Sequence, residues 1–412
     1  MKIGLMHYTG PPVVGGVEQT LAYHARHLAA AGHEPVLIVG AGRLSEPDIE
    51  LRVLPRLQTR HSEVMAVKAE LDRGAVSPRF QTLSSELRQE VEAATRDLQV
   101  LIVHNALSLH KNLPLTAALW DLHRAATWPR LIGWHHDLAW ERGDYAAELH
   151  PGEPWELLRL AWPGVIQVAV SEWQRQQLAE LTQTSLDSIA VIPPGVEPAG
   201  FLRWSQTTRN LHLTLGLDRA DLVLLFPSRV TRRKNIEQAI SITAALAELS
   251  GLDVRLIVTG PPGPHNPAND DYLRELGELC RTLGVEERIH FLHRLDPEAG
   301  GLDEVTVAEL FTSADALLLT SRAEGFGIPV LEAGLARLPV FCTEIPPFRE
   351  SGWEDVTYLA LEESPEQAAQ RILTALEANA HHRLRRRVLR HFTWERLVRE
   401  RLLPLLEAGP HV

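Results

Sequence analysis

The chain has 412 residues, with 41 Lys and Arg against 53 Asp and Glu, and its net charge of -12 argues against a broad nucleic-acid footprint. At 45% hydrophobic and 23% charged it has ordinary globular chemistry on a length greater than one core needs, so two domains are expected. Cys280 and Cys342 form no CxxC pair, which offers no zinc framework and fits a reducing cytoplasm.

The opening MKIGLMHY is too brief for a signal-peptide core, and no window approaches the roughly 18 apolar residues of a membrane span. A cytoplasmic protein is expected. KIGLMHY reads as a strand, VEQTLAYHARHLAAAGH as a helix and EPVLIVG as a strand; VLIVHN, PRLIGW and VIQVAV follow, the last leading into the helix SEWQRQQLAEL. That alternation predicts βαβ units and a parallel sheet. Residues 58–96 are polar and helical in pattern, with no chemistry assigned. AVIPPGVEPAGF (190–201), rich in proline around Gly195, reads as a linker and places a domain junction. A second α/β series then runs through LVLLFPS, NIEQAISITAALAEL, DVRLIVTG, RIHFL, ALLLTS and PVFCT. The ending HHRLRRRVLRHFTWERLVRERLLPLLE predicts two charged amphipathic helices, with Leu397, Leu402, Leu405 and Leu406 on one apolar stripe. The RLRRRVLR run admits docking on a membrane surface, but a solvated helix is the favoured reading.

Four stretches invite chemistry. In EGFGIPVLEAG (324–334), Pro329 is placed to open a helix after the strand ALLLTS, which puts Glu324 in the loop and Glu332 on the first helical turn. Ligands of open α/β sheets bind at that strand end. Gly325 and Gly327 let backbone amides approach a phosphate, so the carboxylates are better suited to sugar hydroxyls; taken alone, the stretch is equally compatible with solvated side chains. PSRVTRRKNIEQAI (227–240) places Ser228, Arg229 and Lys234 between a strand and a helix, where Arg229 and Lys234 can turn toward an anion. Arg232 and Arg233 are expected to be solvated. Only four lysines occur, Lys2, Lys68, Lys111 and Lys234, so one inside a candidate site carries information. In GPPVVGGVEQTL (10–21), Gly15 and Gly16 bare the backbone at a helix start, a third anion site. In LIGWHHDLAW (131–140), adjacent His135 and His136 point to opposite faces, which disfavours a metal chelate and turns one of them toward a ligand. For a lone histidine, as for His104 and Asn105 of HNALSLH, a satisfied core role is commoner. Asp270-Asp271 reads as a helix cap rather than a metal site.

In order along nearly the whole chain, GGVE, HHD, VSEWQRQQL, VIPPGVEPAGF, SRVTRRKN and SADALLLTSRAEGFGIPVLEAGLARLPVFCTE resemble the family 4 retaining glycosyltransferases of the GT-B fold. The glutamate pair in its context is the most specific of these, and FTWERLVRE is similar to the family's closing helix. The resemblance implies two Rossmann-like, doubly wound parallel-sheet domains facing across a cleft: 1–195 for the acceptor, 196–388 for the nucleotide-sugar donor, and a helix at 389–412 crossing back to the first. It implies that Glu332 holds the ribose hydroxyls and Glu324 a hydroxyl of the donor sugar. Arg229 and Lys234 then hold the diphosphate, with Gly16 and the amides of Phe326 and Gly327 closing around it, and Gly15, Ser228, Gly325 and Leu331 complete the donor set. His136 matches the family position beside the reacting sugar, with His135 as the alternative. Retention follows, as in the family, from same-face attack in which the leaving phosphate takes the acceptor's proton.

An arginine, a lysine and a helix end of roughly half a unit charge approximately balance a leaving group of about two to three charges, so neither a metal nor another cofactor is required. The expected reaction moves a hexose, glucose or mannose, from a UDP- or GDP-sugar to a small-molecule, glycan or lipid acceptor; the oligomeric state is not encoded in any motif. Family members often continue the second motif with a Cys-Gly pair and a glycine-rich loop, where this chain has Arg337-Leu338 and EIPPFRE (344–350), which leaves the donor sugar open. Pro194 replaces a common asparagine, a change confined to the hinge. The alternatives are a nucleotide-sugar epimerase or hydrolase on the same fold, or a catalytically silent nucleotide-sugar-binding subunit. A dinucleotide oxidoreductase is disfavoured because G-x-G-x-x-G is missing. A phosphorylase-like enzyme needs a Schiff-base lysine, and Lys234, the one lysine of the second half, already has a phosphate role.

Overall fold

The structure, a computed structural model, describes residues 1–44, 46–125, 128–262, 268–295 and 302–408. The chain divides into two compact units, Met1–Val196 with His391–Val412, and Glu197–Arg390.

The first unit is built on seven parallel strands: β1 (Lys2–His7), β2 (Glu34–Val39), β3 (Glu50–Val53), β4 (Val100–His104), β5 (Arg130–His135), β6 (Ile166–Ala169) and β7 (Ile189–Val191), in the order β3-β2-β1-β4-β5-β6-β7. Side chains of a strand alternate between faces. Ile3 and Leu5 therefore join Leu21, Ala25 and Leu28 of the helix Gly16–Ala30 on one face, while Met6 joins the opposite core. That opposite core takes Val64, Val67, Phe80, Leu83, Leu87 and Val91 from the helices Ser62–Leu71 and Pro78–Thr95. The segment 58–96, polar in composition, thus covers much of one sheet face through a narrow apolar stripe, beside the helix Leu113–His123.

The second unit has β8 (Leu222–Phe226), β9 (Val254–Val258), β10 (Ile289–Phe291), β11 (Ala316–Leu319), β12 (Val340–Thr343) and β13 (Thr357–Leu359), all parallel, in the order β10-β9-β8-β11-β12-β13. Leu222, Leu224 and Phe226 bury on one face, Val223 and Leu225 on the other. Each sheet reverses its winding once, between β1 and β4 in the first unit and between β8 and β11 in the second. Loops leaving neighbouring strands part at such a point and open a crevice at the carboxyl ends.

The segment 190–201 holds the junction expected near Gly195, since the two units part between Val196 and Glu197, and its backbone is ordered: it begins in β7 and ends in the helical turn Pro198–Phe201. Between them the Val196 amide donates to the Phe392 carbonyl at 2.7 Å, and the Trp394 amide donates to the Val196 carbonyl at 3.1 Å. Gly195 is required by this contact, because a Cβ there would lie 2.9 Å from the Trp394 backbone nitrogen. The closing helix is not uniform, since a π turn at Val398–Leu402 separates Trp394–Leu397 from Leu403–Glu407. Pro404 lacks an amide proton and its ring crowds the carbonyl four residues back, inside that wide turn. Leu397, Leu402 and Leu406 are buried, and Leu405 only partly. Finally, the RLRRRVLR arginines are largely spent within their own unit: Arg385 pairs with Asp315, and Arg390 with Asp221 at 2.6 Å.

Among the described residues no helix is long and apolar enough to cross a membrane. Cys280 and Cys342 are both buried free thiols.

Candidate active site

In the second unit the loops after β8 and β11 are stitched together across the switch point. Thr320 Oγ1 donates to the Asn235 carbonyl at 2.7 Å, and the Arg322 amide donates to the Arg233 carbonyl at 2.8 Å. Asn235, at φ 53°, ends the turn Arg232–Lys234 and starts the helix Ile236–Ser250. Ser228 is buried, and Gly260 of the loop after β9 lies so close that a Cβ would fall 2.5 Å from the Ser228 carbonyl oxygen. Arg229 beside it is exposed.

Glu324 and Lys234, given separate duties by the sequence reading, are in direct contact. Lys234 Nζ lies 2.5 Å from Glu324 Oε1, Ser321 Oγ donates to the same oxygen at 2.6 Å, and Arg233 Nη1 donates to Oε2 at 3.0 Å. The Glu324 and Lys234 side chains are only 10% and 11% exposed. Burial by itself would raise the Glu324 carboxyl; the Lys234 ammonium, the Ser321 hydroxyl and the Arg233 guanidinium outweigh it and hold the group below the usual carboxylate range. Arg233, 54% exposed as a solvated arginine would be, is nonetheless part of the site, and it also donates to the Ala323 carbonyl. Arg232 faces away, paired with Glu275 and set over the Tyr272 ring.

The helix after Glu324 runs from Ile328 to Ala336, so Glu332 is its fifth residue, past the first turn where the sequence placed it, and exposed. Leu331 is 48% exposed and Phe326 43%. Gly325 has open space around it, whereas Gly327 caps the helix at φ 102° and a Cβ there would lie 2.7 Å from Phe348 Cδ1. Gly327→Ala combines left-handed strain with overpacking and is expected to destabilise the fold by about 2–5 kcal/mol. Urea unfolding of the two proteins checks this, and an unchanged midpoint contradicts it.

In the first unit Gly15 is the extended N-cap of the helix Gly16–Ala30, and Gly16 has open space. The Glu18 carboxylate folds back over Gly15, where a Cβ would meet Glu18 Oε2 at 2.1 Å, and Glu18 Oε1 accepts from Thr9 Oγ1 at 2.5 Å. The helix start thus already faces a negative charge, which the sequence reading of an anion site missed.

His135 and His136 do diverge. His135 is buried, with Nε2 2.7 Å from Gln167 Oε1, and burial pushes it down to about 4 in spite of that bond. His136 is partly exposed, and its Nε2 lies 3.0 Å from Nδ1 of the fully buried His104. Burial, then the neighbouring His7, His24 and His135, pushes His136 down to about 3. Its backbone is pinned as well: Asn105, at φ 62°, accepts from the His136 amide at 2.8 Å and the Asp137 amide at 3.2 Å through Oδ1. Asp271 is inside the helix Ala268–Leu283 and pairs with Arg274, so it is not a cap; the side chain of Asp270 and residues 263–267 of the proline-rich loop lie outside the described residues. Among the described residues no group of three or more His, Cys, Asp or Glu is arranged to hold a metal ion.

Two family models match in tandem, Glycosyltransferase Family 4 over residues 14–199 and Glycosyl transferases group 1 over residues 209–389. The chain belongs to the family 4 glycosyltransferases of the GT-B type, one model for each parallel-sheet unit. It is similar to a mannosylglucosylglycerate synthase of Petrotoga mobilis, 26% identical over 62% of this chain and 61% of that protein. A D-inositol 3-phosphate glycosyltransferase of Actinosynnema mirum is 32% identical over 43% of this chain and 40% of that protein. The matches thus span less than two thirds of these relatives' own lengths. A glycosyltransferase of Rickettsia africae ESF-5 aligns over 98% of both chains at 18% identity and a TM-score of 0.39, too loose a superposition to transfer any ligand.

Proposed function

We propose that this glycosyltransferase moves a hexose, glucose or mannose, from a nucleoside diphosphate sugar to an acceptor hydroxyl with retention of configuration and without a metal. The observation that carries the reading is the pair of basic side chains, Arg233 and Lys234, gathered on Glu324 at the β8/β11 switch point beside the Gly327-capped helix start, with Arg229 exposed on the loop after β8. As the sugar–phosphate bond breaks, negative charge grows on the departing diphosphate. The guanidinium of Arg229, the ammonium of Lys234 and the amides of Phe326 and Gly327 meet it. Glu324 orients Lys234 and Arg233, and a carboxylate has lone pairs enough to accept a sugar hydroxyl besides. Glu332, exposed on the same helix, is free to accept from the ribose hydroxyls.

The acceptor oxygen forms the new bond to the anomeric carbon on the face the diphosphate leaves, and the acceptor's proton passes to a phosphate oxygen. The resemblance of the HHD stretch to the family motif is what assigns His136 to the reacting sugar. The cytoplasm is the compartment that supplies such donors.

A thermal-shift screen of UDP, GDP and their glucose and mannose conjugates tests the donor class. One nucleotide series is expected to raise the melting temperature of the wild type, and Glu332→Ala to weaken its apparent affinity by about tenfold, the loss of one hydrogen bond to a charged group. No shift with any of them would sink the proposal. NMR of the product then reads the anomeric configuration, for which inversion is the refuting outcome, and rapid donor turnover without acceptor would indicate a hydrolase.

A further inference from the structure

His104 closes β4 and is fully buried, stacked on Trp134 with ring centroids 5.5 Å apart and on His136 at 5.3 Å. One of its ring nitrogens, Nδ1, meets His136 Nε2 at 3.0 Å; the other, Nε2, is buried without a partner. No contact in the first unit engages the remaining His136 nitrogen, Nδ1, among the described residues.

That asymmetry decides where the shared proton sits. Neither ring carries a second proton at neutral pH, because burial, followed by the charge repulsion of neighbouring histidines, pushes both well down. If His136 donated through Nε2, neutral His104 would carry its own proton on Nε2, a buried N–H with nothing to accept it. If His104 donates through Nδ1 instead, its Nε2 is left as an unpaired acceptor, the less costly of the two defects. His136 then bears its proton on Nδ1.

We propose that His104 is a positioning residue that holds His136 in the Nδ1–H tautomer, so that His136 meets the reacting sugar or its leaving oxygen as a hydrogen-bond donor. The inference rests on the reading of His136 as the residue beside that sugar. Asn105 supports it from the next position by fixing the His136 backbone, and its left-handed conformation is one that asparagine tolerates better than most residues. One strand end thus aims both the ring and the main chain of a residue 31 or 32 positions away. In this arrangement His136 takes no proton from the acceptor, which leaves that proton to the phosphate.

Two substitutions in the full chain separate positioning from packing. His104→Phe keeps the buried, stacked ring and deletes the nitrogen; His104→Asn loses ring packing and keeps a donor near the Nδ1 position. Positioning predicts that the Phe variant loses kcat by roughly ten- to a hundredfold at little-changed donor KM, while the Asn variant retains most of it. A purely structural role predicts the reverse order and would overturn the proposal.

His136→Ala separates this idea from the functional reading beneath it. Full activity in that variant removes His136 from the reaction altogether, whereas loss there with a fully active His104→Phe refutes the positioning role alone. Histidine-selective 15N NMR of the wild-type protein needs no variant to fold: His136 protonated on Nδ1 is expected, and Nε2 protonation refutes the proposal.

Discussion

Lys234→Ala is expected to lower turnover by about a hundred- to a thousandfold, the usual loss when one preorganised donor to a developing charge is removed. The structure adds a complication, because Lys234 is also the closest partner of Glu324 at 2.5 Å in a site where both side chains are about nine-tenths buried. Removing the ammonium leaves that carboxylate to Arg233 and Ser321, so the single variant also loses stability, on the order of 1–3 kcal/mol given the partners that remain. Lost activity alone therefore does not separate phosphate binding from support of Glu324. Affinity for the sugar-free nucleoside diphosphate does, because Glu324 has no sugar hydroxyl to hold there. Lys234→Ala is expected to weaken that affinity by about tenfold or more, the loss of a charge-assisted contact to phosphate. Calorimetric titration of the nucleoside diphosphate, beside urea unfolding, reads both quantities, and an unchanged affinity in a folded Lys234→Ala variant would show that Lys234 serves only its carboxylate.

Acid is expected to unfold the chain well before its carboxylates are all protonated. Burial is the leading cause in each case: it holds His24 down to about 3, His135 to about 4 and His136 to about 3, and lowers His7 and His104 as well. In the unfolded chain these rings titrate near 6.5. The sign follows from proton counting: between about pH 6.5 and 4 the unfolded chain binds protons that the native chain refuses. Stability is complete above the unfolded value and falls as pH drops, by about 1.4 kcal/mol per pH unit for each such histidine. His212, His290 and His382, each lowered to about 4 chiefly by burial, extend the same slope to the second unit.

Urea midpoints measured from pH 7.5 to 4.5 are expected to fall steeply below pH 6.5. His24→Phe should flatten that fall, since His24 is buried edge-on to Trp134 at 4.6 Å and Trp394 at 5.3 Å with Nδ1 unpartnered. A midpoint flat across that range would contradict the buried neutral cluster.

Much of this molecule is legible in its sequence. Runs such as LVLLFPS and ALLLTS became β8 and β11 because a strand buried on both faces needs little beyond a short apolar β-forming segment and a turn. The opening of the helix at Ile328–Ala336 was legible to within a residue from Pro329 and the glycines, and Ser228, Arg229, Lys234 and Glu324 fell on the two loops that flank one switch point. The errors were local ones of degree. Glu332 lies a turn deeper into its helix than expected, and residues 190–201 hold the expected junction in more ordered backbone than their prolines suggested.

Partnership was not legible. Arg233 looked like any solvated arginine until the β11 loop brought Glu324 to it from 91 positions away, and His104 looked like a core histidine until His136 arrived on the neighbouring strand. Alternation, turn chemistry and helix starts are short-range consequences of backbone sterics and burial, so the sequence by itself determined which segments become strands and which loops carry charge. Which charges meet, and which ring nitrogen is left bare, depend on strand order and register between distant segments, and only the tertiary structure decided them.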